Sequence, residues 1–163
     1  GTDGGFEIEF TFGPAAQADW IYAAAFSGTG ETALLGTYAG RVVRVDRGGK
    51  PLAIYDVGSA PVRIIETEAF LYVMTTTRLY VLDGDRLVAL HDCSTKCDLI
   101  VSEGIVLLIE EKGLRVLTED GRALGIALSK APIRRAYLSD GELFVETRTQ
   151  RGRFRGLHKI TAS

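Results

Sequence analysis

The chain has 163 residues, 46% of them hydrophobic and 25% charged, and a formal net charge of −2. This length and composition predict a single domain, spanning residues 1–163, and exclude a disordered tail. The near-neutral charge excludes a general attraction to nucleic acid or to anionic membranes, and no apolar run approaches the roughly 20 residues of a membrane helix. We therefore expect neither nucleic acid nor a membrane among the partners.

Short strands separated by Gly, Asp and Pro follow one another along the whole chain. In chain order the pattern predicts sixteen, at residues 6–12, 20–26, 33–37, 41–46, 52–57, 62–67, 71–75, 79–82, 87–91, 99–103, 105–110, 114–118, 123–128, 133–139, 143–149 and 154–160. Strands spaced by about 8–12 residues in this way are typical of all-β folds. No stretch keeps the period and the caps of a helix, so we expect almost no helix.

A turn phrase built around Asp and Gly recurs between these strands. Its copies cover residues 45–52, 82–87 and 117–124, so the steps are 37 and 35 residues. A repeat of this length in an all-β chain predicts the blades of a β-propeller, with strands named a to d from the centre outward. The phrase then forms the c–d hairpin, because Asp and Gly supply the hydrogen bonds and positive φ of a tight turn. An Ala-Pro repeat, at residues 60–63 and 131–134, marks the crossover from strand d to the next strand a.

The phase of the repeat indicates where the chain starts and stops within a blade. Residues 2–8 resemble residues 118–124, so the first strand, at residues 6–12, is a strand d. The last strand, at residues 154–160, is a strand c. We therefore expect three complete blades and a fourth that contributes strands a, b and c. The strand d that this fourth blade lacks is available at the start of the chain.

Charge favours pairing of the two terminal strands. Glu7 and Glu9 alternate on one face of the first strand, and Arg153 and Arg155 alternate on one face of the last. Opposite charges that face each other across paired strands contribute about 0.2–1 kcal/mol each. The sequence thus predicts an all-β propeller of about four blades, each with four antiparallel strands. Two forms stay open: a ring closed by pairing of the N- and C-terminal strands, and a part of a larger ring.

The turns at residues 45–52 and 118–124 resemble those of the quinoprotein-like and WD40-like β-propeller repeats. In those families a strand c ends in Asp, a Gly-Lys turn follows, and a strand d begins. The resemblance covers about residues 20–160. The Gly-His and Trp-Asp signatures of true WD40 repeats are absent, and so is the metal and quinone ligand set of quinoprotein dehydrogenases. The resemblance therefore implies a fold and no particular chemistry.

The densest group of metal-binding side chains is His91, Cys93 and Cys97. A thiolate pair with an imidazole is a ligand set for zinc. The spacing lacks a second ligand pair, however, and His158 is the only other histidine. We therefore favour free thiols in a crossover loop, with a disulfide and a zinc site as the alternatives. Two cysteines do not make a disulfide framework, so we expect a reducing, cytoplasmic location, and we expect no cofactor.

No convergent catalytic set is present in the sequence. The Gly-x-Gly of residues 27–32 is followed by neither Lys-Ser/Thr nor a helix, which indicates a hairpin loop and not a phosphate site. The carboxylate pairs Glu66/Glu68 and Glu110/Glu111 fall in or beside predicted turns, where we interpret them as solvated charges. We therefore expect a protein that is not an enzyme.

The d-to-a crossovers and the b–c turns of a propeller share one face, and exposed loops of this kind commonly carry binding residues. Here that face gathers one tyrosine and seven cations: Tyr38, Arg41, Arg63, Arg78, Lys96, Lys112, Arg134 and Arg148. We expect a non-catalytic interaction module within a larger protein, monomeric or homodimeric, that binds a protein partner through this face. The alternative is a sensor domain that binds a small ligand or a carbohydrate in the central channel.

Overall fold

The computed structural model describes residues 21–27, 29–93, 97–140, 142–149 and 154–160. Within them lie fifteen β-strands: β1 (Ile21–Phe26), β2 (Ala33–Thr37), β3 (Arg41–Val45), β4 (Pro51–Asp56), β5 (Arg63–Glu66), β6 (Leu71–Met74), β7 (Arg78–Asp83), β8 (Arg86–Asp92), β9 (Asp98–Ser102), β10 (Ile105–Glu110), β11 (Gly113–Thr118), β12 (Ala123–Leu128), β13 (Ile133–Ser139), β14 (Glu142–Arg148) and β15 (Phe154–Ile160). Each bound lies within one residue of the predicted strand, so the all-β prediction is confirmed. The predicted strand at residues 6–12 lies outside the described residues, and its pairing with the last strand stays a prediction.

The strands form four antiparallel sheets in which neighbours follow one another in chain order: β1–β4, β5–β8, β9–β12 and β13–β15. Each sheet is the meander expected of one blade, and the fourth has three strands within the described residues. The chain divides into two compact units, Gly1–Asp92 and Cys93–Ser163. Among the described residues no helix has the length and apolarity needed to span a membrane.

The recurring turn phrase forms the c–d hairpins, as the sequence predicts. Between β3 and β4, Asp46 Oδ1 accepts the backbone N–H groups of Gly48 and Lys50, both at 2.9 Å. Gly84 and Gly121 adopt φ values of 66° and 91° in the corresponding turns, a region that residues with a Cβ rarely enter. The phrase recurs because each hairpin needs the same acceptor or the same positive φ.

The core of the first unit joins its two sheets. Leu34 and Val42 of the first sheet pack in one cluster with Ile64, Leu71 and Val73 of the second. The inner strands β2 and β6 are buried along their whole length. Both faces of each strand carry uncharged, mostly apolar side chains, so both faces can pack against other parts of the protein. The outer strand β4 mixes exposed and half-buried positions, as expected of a strand with one face toward water.

In the second unit, β10 is a buried inner strand, covered at its four central positions. Val106 and Leu108 are fully buried, and Ile109 packs with Ile133 and Val145 of the neighbouring sheet. The outer strand β12 exposes all six of its residues. Each unit thus buries its inner strands and leaves turns and outer strands at the surface.

Candidate functional site

The predicted interaction residues lie along one edge of each sheet. We call it the crossover edge, because the d-to-a crossovers and the b–c turns form it. In the first unit, the crossover between β4 and β5 is hydrogen-bonded to the turn between β2 and β3 and to the end of β6. The backbone N–H groups of Val57 and Gly58 donate to the carbonyl of Gly40 at 2.8 and 3.1 Å, and that of Val62 donates to the carbonyl of Met74 at 2.7 Å. The loops of this edge are therefore fixed to the sheets that they connect.

Four predicted residues of the first unit lie on its crossover edge. Tyr38 is in the turn between β2 and β3, and Arg41, Arg63 and Arg78 are the first residues of β3, β5 and β7. All four are exposed. Arg78 Nε donates a hydrogen bond to Asp92 Oδ1, and this bond raises the pKa of Arg78 above its usual value. The edge therefore presents an aromatic ring among guanidinium groups, and that of Arg78 is paired with Asp92.

An exposed aromatic patch, formed by Ile21, Tyr22 and Tyr38, lies at the same edge. These side chains are 49%, 58% and 64% exposed, and the two tyrosine rings lie 6.5 Å apart between centroids. Ile21 is the register partner of Thr37, beside a bulge in the pairing of β1 with β2. This register places the start of β1 next to the b–c turn. Sequence reasoning assigned Ile21 and Tyr22 to a strand and missed the contact of Tyr22 with Tyr38.

In the second unit, the predicted residues occupy the same edge of their sheets. Lys112 lies in the turn between β10 and β11, Arg134 is the second residue of β13, and Arg148 is the last of β14. Ser129 N–H donates to the carbonyl of Lys112 at 2.9 Å, so this crossover is fixed to a b–c turn, as in the first unit. Lys96 lies outside the described residues.

Carboxylates compensate several of these cations, which the sequence did not predict. Arg148 Nη2 lies 3.6 Å from Glu111 Oε1, and Arg134 Nη1 lies 3.5 Å from Glu146 Oε1. Arg135 also bonds to Glu146, and Arg135 and Glu146 are direct register partners of β13 and β14. Glu111 is therefore an ion-pair partner and not merely the solvated turn charge that we expected. The second unit presents a mixed surface of ion pairs at this edge.

The two cysteines differ from the favoured prediction. Cys93 and Cys97 form a disulfide, whereas the sequence favoured free thiols. Their Cα atoms lie 6.4 Å apart, within the range that a disulfide spans. The third member of the metal-ligand group is also different: Glu110, and not His91, completes the one cluster of three such residues within the described part of the chain.

A cavity of about 440 Å³ lies at the opposite edge of the first unit. Its lining includes Thr32, Arg44, Glu66 and Phe70. Arg44 Nη1 donates to Glu66 Oε1 at 3.0 Å and to Thr32 Oγ1 at 3.1 Å, and the bond to Glu66 raises the pKa of Arg44. Glu66 is therefore paired and largely buried, with 15% of its side chain exposed, and the prediction of a solvated turn charge at this position was wrong.

No protein-family model matches the chain, and no curated protein matches it in sequence. Solved structures share its fold instead. The computationally designed Ika4 protein superposes with a TM-score of 0.67 at 16% identity, over 91% of this chain and 95% of that one. BamB from Moraxella catarrhalis gives 0.63 at 15% identity, over 88% of this chain and 54% of BamB. BBS1N, in a crystal structure of its complex with ARL6DN, gives 0.63 at 13% identity, over 94% of this chain and 57% of BBS1N.

These structures are β-propellers, and the four sheets of this chain match their blades. The predicted resemblance to β-propeller repeats is thereby confirmed at the level of the fold. The chain spans nearly all of the Ika4 protein but only about half of BamB and BBS1N. The expectation that it is not an enzyme stays a prediction.

Proposed function

We propose that this chain is a non-catalytic interaction module of a larger protein, and that it binds a protein partner through the crossover edge of its first unit. The aromatic patch carries this proposal. Tyrosine and arginine are enriched at the centres of protein interfaces, because they combine large contact area with hydrogen-bonding groups. Tyr22 and Tyr38 supply such area beside Arg41 and Arg63. The fold similarity to BBS1N, whose crystal structure contains ARL6DN, supports a role in binding proteins.

The support of the patch also fits a binding role. Tyr38 lies in the turn between β2 and β3. Gly40 of the same turn accepts two backbone hydrogen bonds from the crossover through its carbonyl oxygen. A partner that contacts Tyr38 would therefore meet a loop that is already ordered, and would lose little conformational entropy on binding. Arg41 and Arg63 add positive charge at the rim, which favours a partner with acidic groups around an apolar centre.

Replacing Tyr38 with alanine tests this function. We expect at least a tenfold loss of partner proteins retained by the immobilised Tyr38→Ala chain relative to the wild type, because truncation of a central tyrosine commonly costs about 2 kcal/mol of binding free energy. Retained proteins are quantified by mass spectrometry from an extract of the source cells. Thermal unfolding of each variant checks that the fold is intact.

Phe26→Ala is the matched control for this experiment. Phe26 is 65% exposed and ends β1 at the edge of the first sheet opposite Tyr38, so its removal deletes a similar aromatic surface from the same sheet. Proteins that are lost from Tyr38→Ala and kept by Phe26→Ala support the proposal. Equal retention by all three chains, or equal loss from both variants, contradicts it.

The cavity beside Arg44 and Glu66 favours the second candidate, a sensor for a small ligand or a carbohydrate. Its volume of about 440 Å³ falls in the range of ligand pockets, roughly 300–1,000 Å³. Hydroxyl groups and the ring of Phe70 line it, and such groups suit a polyhydroxylated ligand.

In a thermal-shift screen of glycans and metabolites, we expect a ligand of this site to raise the Tm of the wild type but not of Phe70→Ala. An equal rise for both chains would place the ligand elsewhere.

A further inference from the structure

A group of three side chains that could bind a metal ion lies on the crossover edge of the second unit. It shares no residue with the aromatic patch. Cys93 and Cys97 flank the crossover that leads into β9, and Glu110 ends β10. Ligand atoms of the three side chains lie within 4.8 Å of one another. The register of the sheet explains this proximity: Ile109 pairs with Asp98, so the next residues along the two strands, Glu110 and Cys97, come to lie side by side.

We propose that these residues form a redox-controlled binding site for a thiophilic divalent cation such as Zn²⁺. In the reduced chain, the two thiolates and the Glu110 carboxylate are the ligands. In the oxidised chain, the disulfide occupies both sulfur atoms and closes the site. The inference is independent of the partner proposed above, since it uses no residue of the aromatic patch.

The ligand set fits such a cation. Thiolate sulfur and carboxylate oxygen are both common zinc ligands, and a tetrahedral ion at about 2.3 Å from each sulfur holds the two sulfur atoms about 3.8 Å apart. Cα atoms 6.4 Å apart permit that separation. Three protein ligands leave one tetrahedral position for water or for an incoming group, which is the composition of an open zinc site.

Charge and burial also favour a bound cation. Cys97 is 8% exposed and the side chain of Glu110 is 12% exposed. Two thiolates and a carboxylate held together in such a place repel one another strongly. Arg115 Nε lies 3.2 Å from Glu110 Oε2 and neutralises one of the three negative charges. A divalent cation neutralises the other two, and Arg115 orients the carboxylate as outer partners of metal ligands commonly do.

The redox step is an ordinary thiol–disulfide exchange. The thiolate of an external dithiol attacks one sulfur of the Cys93–Cys97 bond, which breaks as a mixed disulfide forms. The second thiol of the reductant then displaces the protein sulfur. Two electrons pass from the dithiol, which leaves as its own disulfide, to the two protein cysteines. Binding of the cation to the resulting thiols releases their protons. The cytosol keeps thiols reduced. In the cytoplasmic location that we expect from the sequence, the two cysteines would therefore stay available to bind the cation.

Zinc titration of the whole chain in both redox states tests the proposal. The chain is reduced with a phosphine, which is itself oxidised to the phosphine oxide, and titrated with Zn²⁺ by isothermal calorimetry under argon. We expect one Zn²⁺ per reduced chain and at least a hundredfold weaker binding to the oxidised chain. Titration with Cd²⁺ should add a thiolate-to-metal absorption band to the reduced chain only. Absence of zinc binding to the reduced chain, or equal binding to both states, would overturn the inference.

Variants of the neighbouring residues Glu110 and Glu111 distinguish zinc binding at this site from nonspecific zinc binding. We expect Glu110→Gln to weaken zinc binding at least tenfold, whereas Glu111→Gln, whose carboxylate lies beside Arg148, should bind as the wild type does. Cys97→Ser should lose both the binding and the Cd²⁺ band. Should Glu110→Gln fail to fold, Glu110→Asp keeps the test available, because the shorter carboxylate is also expected to weaken binding. Wild-type affinity in the variant used at this position would exclude Glu110 as a ligand and overturn the site.

Discussion

Replacement of Gly40 with alanine is expected to lower the free energy of unfolding by about 3 kcal/mol. Gly40 adopts φ = 92°, and a Cβ there would lie 2.6 Å from the backbone nitrogen of Ser59. The left-handed conformation alone costs a residue with a Cβ about 1 kcal/mol. The clash adds a further cost, because the crossover cannot move away without breaking the two hydrogen bonds that the carbonyl of Gly40 accepts from Val57 and Gly58.

Gly58 provides the matched control for this measurement. It adopts φ = 82°, and a Cβ at this position would meet no atom within 4 Å. Gly58→Ala therefore isolates the conformational cost, and we expect a loss of about 1 kcal/mol. Urea denaturation followed by circular dichroism measures both variants. An equal loss of unfolding free energy in the two variants would show that the close approach of the crossover to Gly40 adds no steric cost.

The repeat extends this argument to the second unit. Gly113 is the first residue of β11, and Gly40 is the residue immediately before β3. A Cβ at Gly113 would lie 2.7 Å from the carbonyl oxygen of Ala127. Its φ is not in the positive region, so only the steric cost applies. The two glycines thus meet the same demand of the blade, which is room for the outer strand or crossover to pass close to the start of strand c.

Local patterns predicted the strands well, because alternation and turn chemistry act between residues that are near in sequence. In the c–d hairpins, the acceptor Asp46 and the positive φ of Gly84 and Gly121 lie within the turn phrase itself. The strand bounds follow within one residue. The side chains of Arg41, Arg63 and Arg78 could likewise be assigned to one edge from strand direction alone.

Contacts between distant residues account for what the sequence did not predict. Arg44 and Glu66 are 22 residues apart and belong to different sheets, so nothing local distinguishes Glu66 from a solvated turn residue. Glu110 joins Cys97 only through the register of β9 with β10. A prediction that wrote out this pairing residue by residue would have found it, since each strand was already placed correctly.

Glu66→Gln is expected to lower the free energy of unfolding by about 2 kcal/mol. The side chains of Arg44 and Glu66 are only 19% and 15% exposed, so the substitution leaves a guanidinium charge that water reaches poorly. Loss of one partner of a fully buried pair costs about 3–5 kcal/mol, and the remaining exposure of this pair reduces that figure. Unfolding in urea again measures the loss, and the Arg44→Met/Glu66→Gln double variant separates the interaction from the individual substitutions.

An exposed ion pair between two turns of the first sheet provides the control for this effect. Arg47 Nη2 lies 3.9 Å from Glu31 Oε1, and the two side chains are 67% and 71% exposed. Because water and salt screen such a pair, Glu31→Gln should cost less than about 0.5 kcal/mol.

In the Arg44→Met/Glu66→Gln double variant, removal of the Arg44 charge should recover part of the loss caused by Glu66→Gln. A double variant as unstable as the sum of its single variants would show that the pair contributes no interaction energy, and that packing at the cavity accounts for the loss.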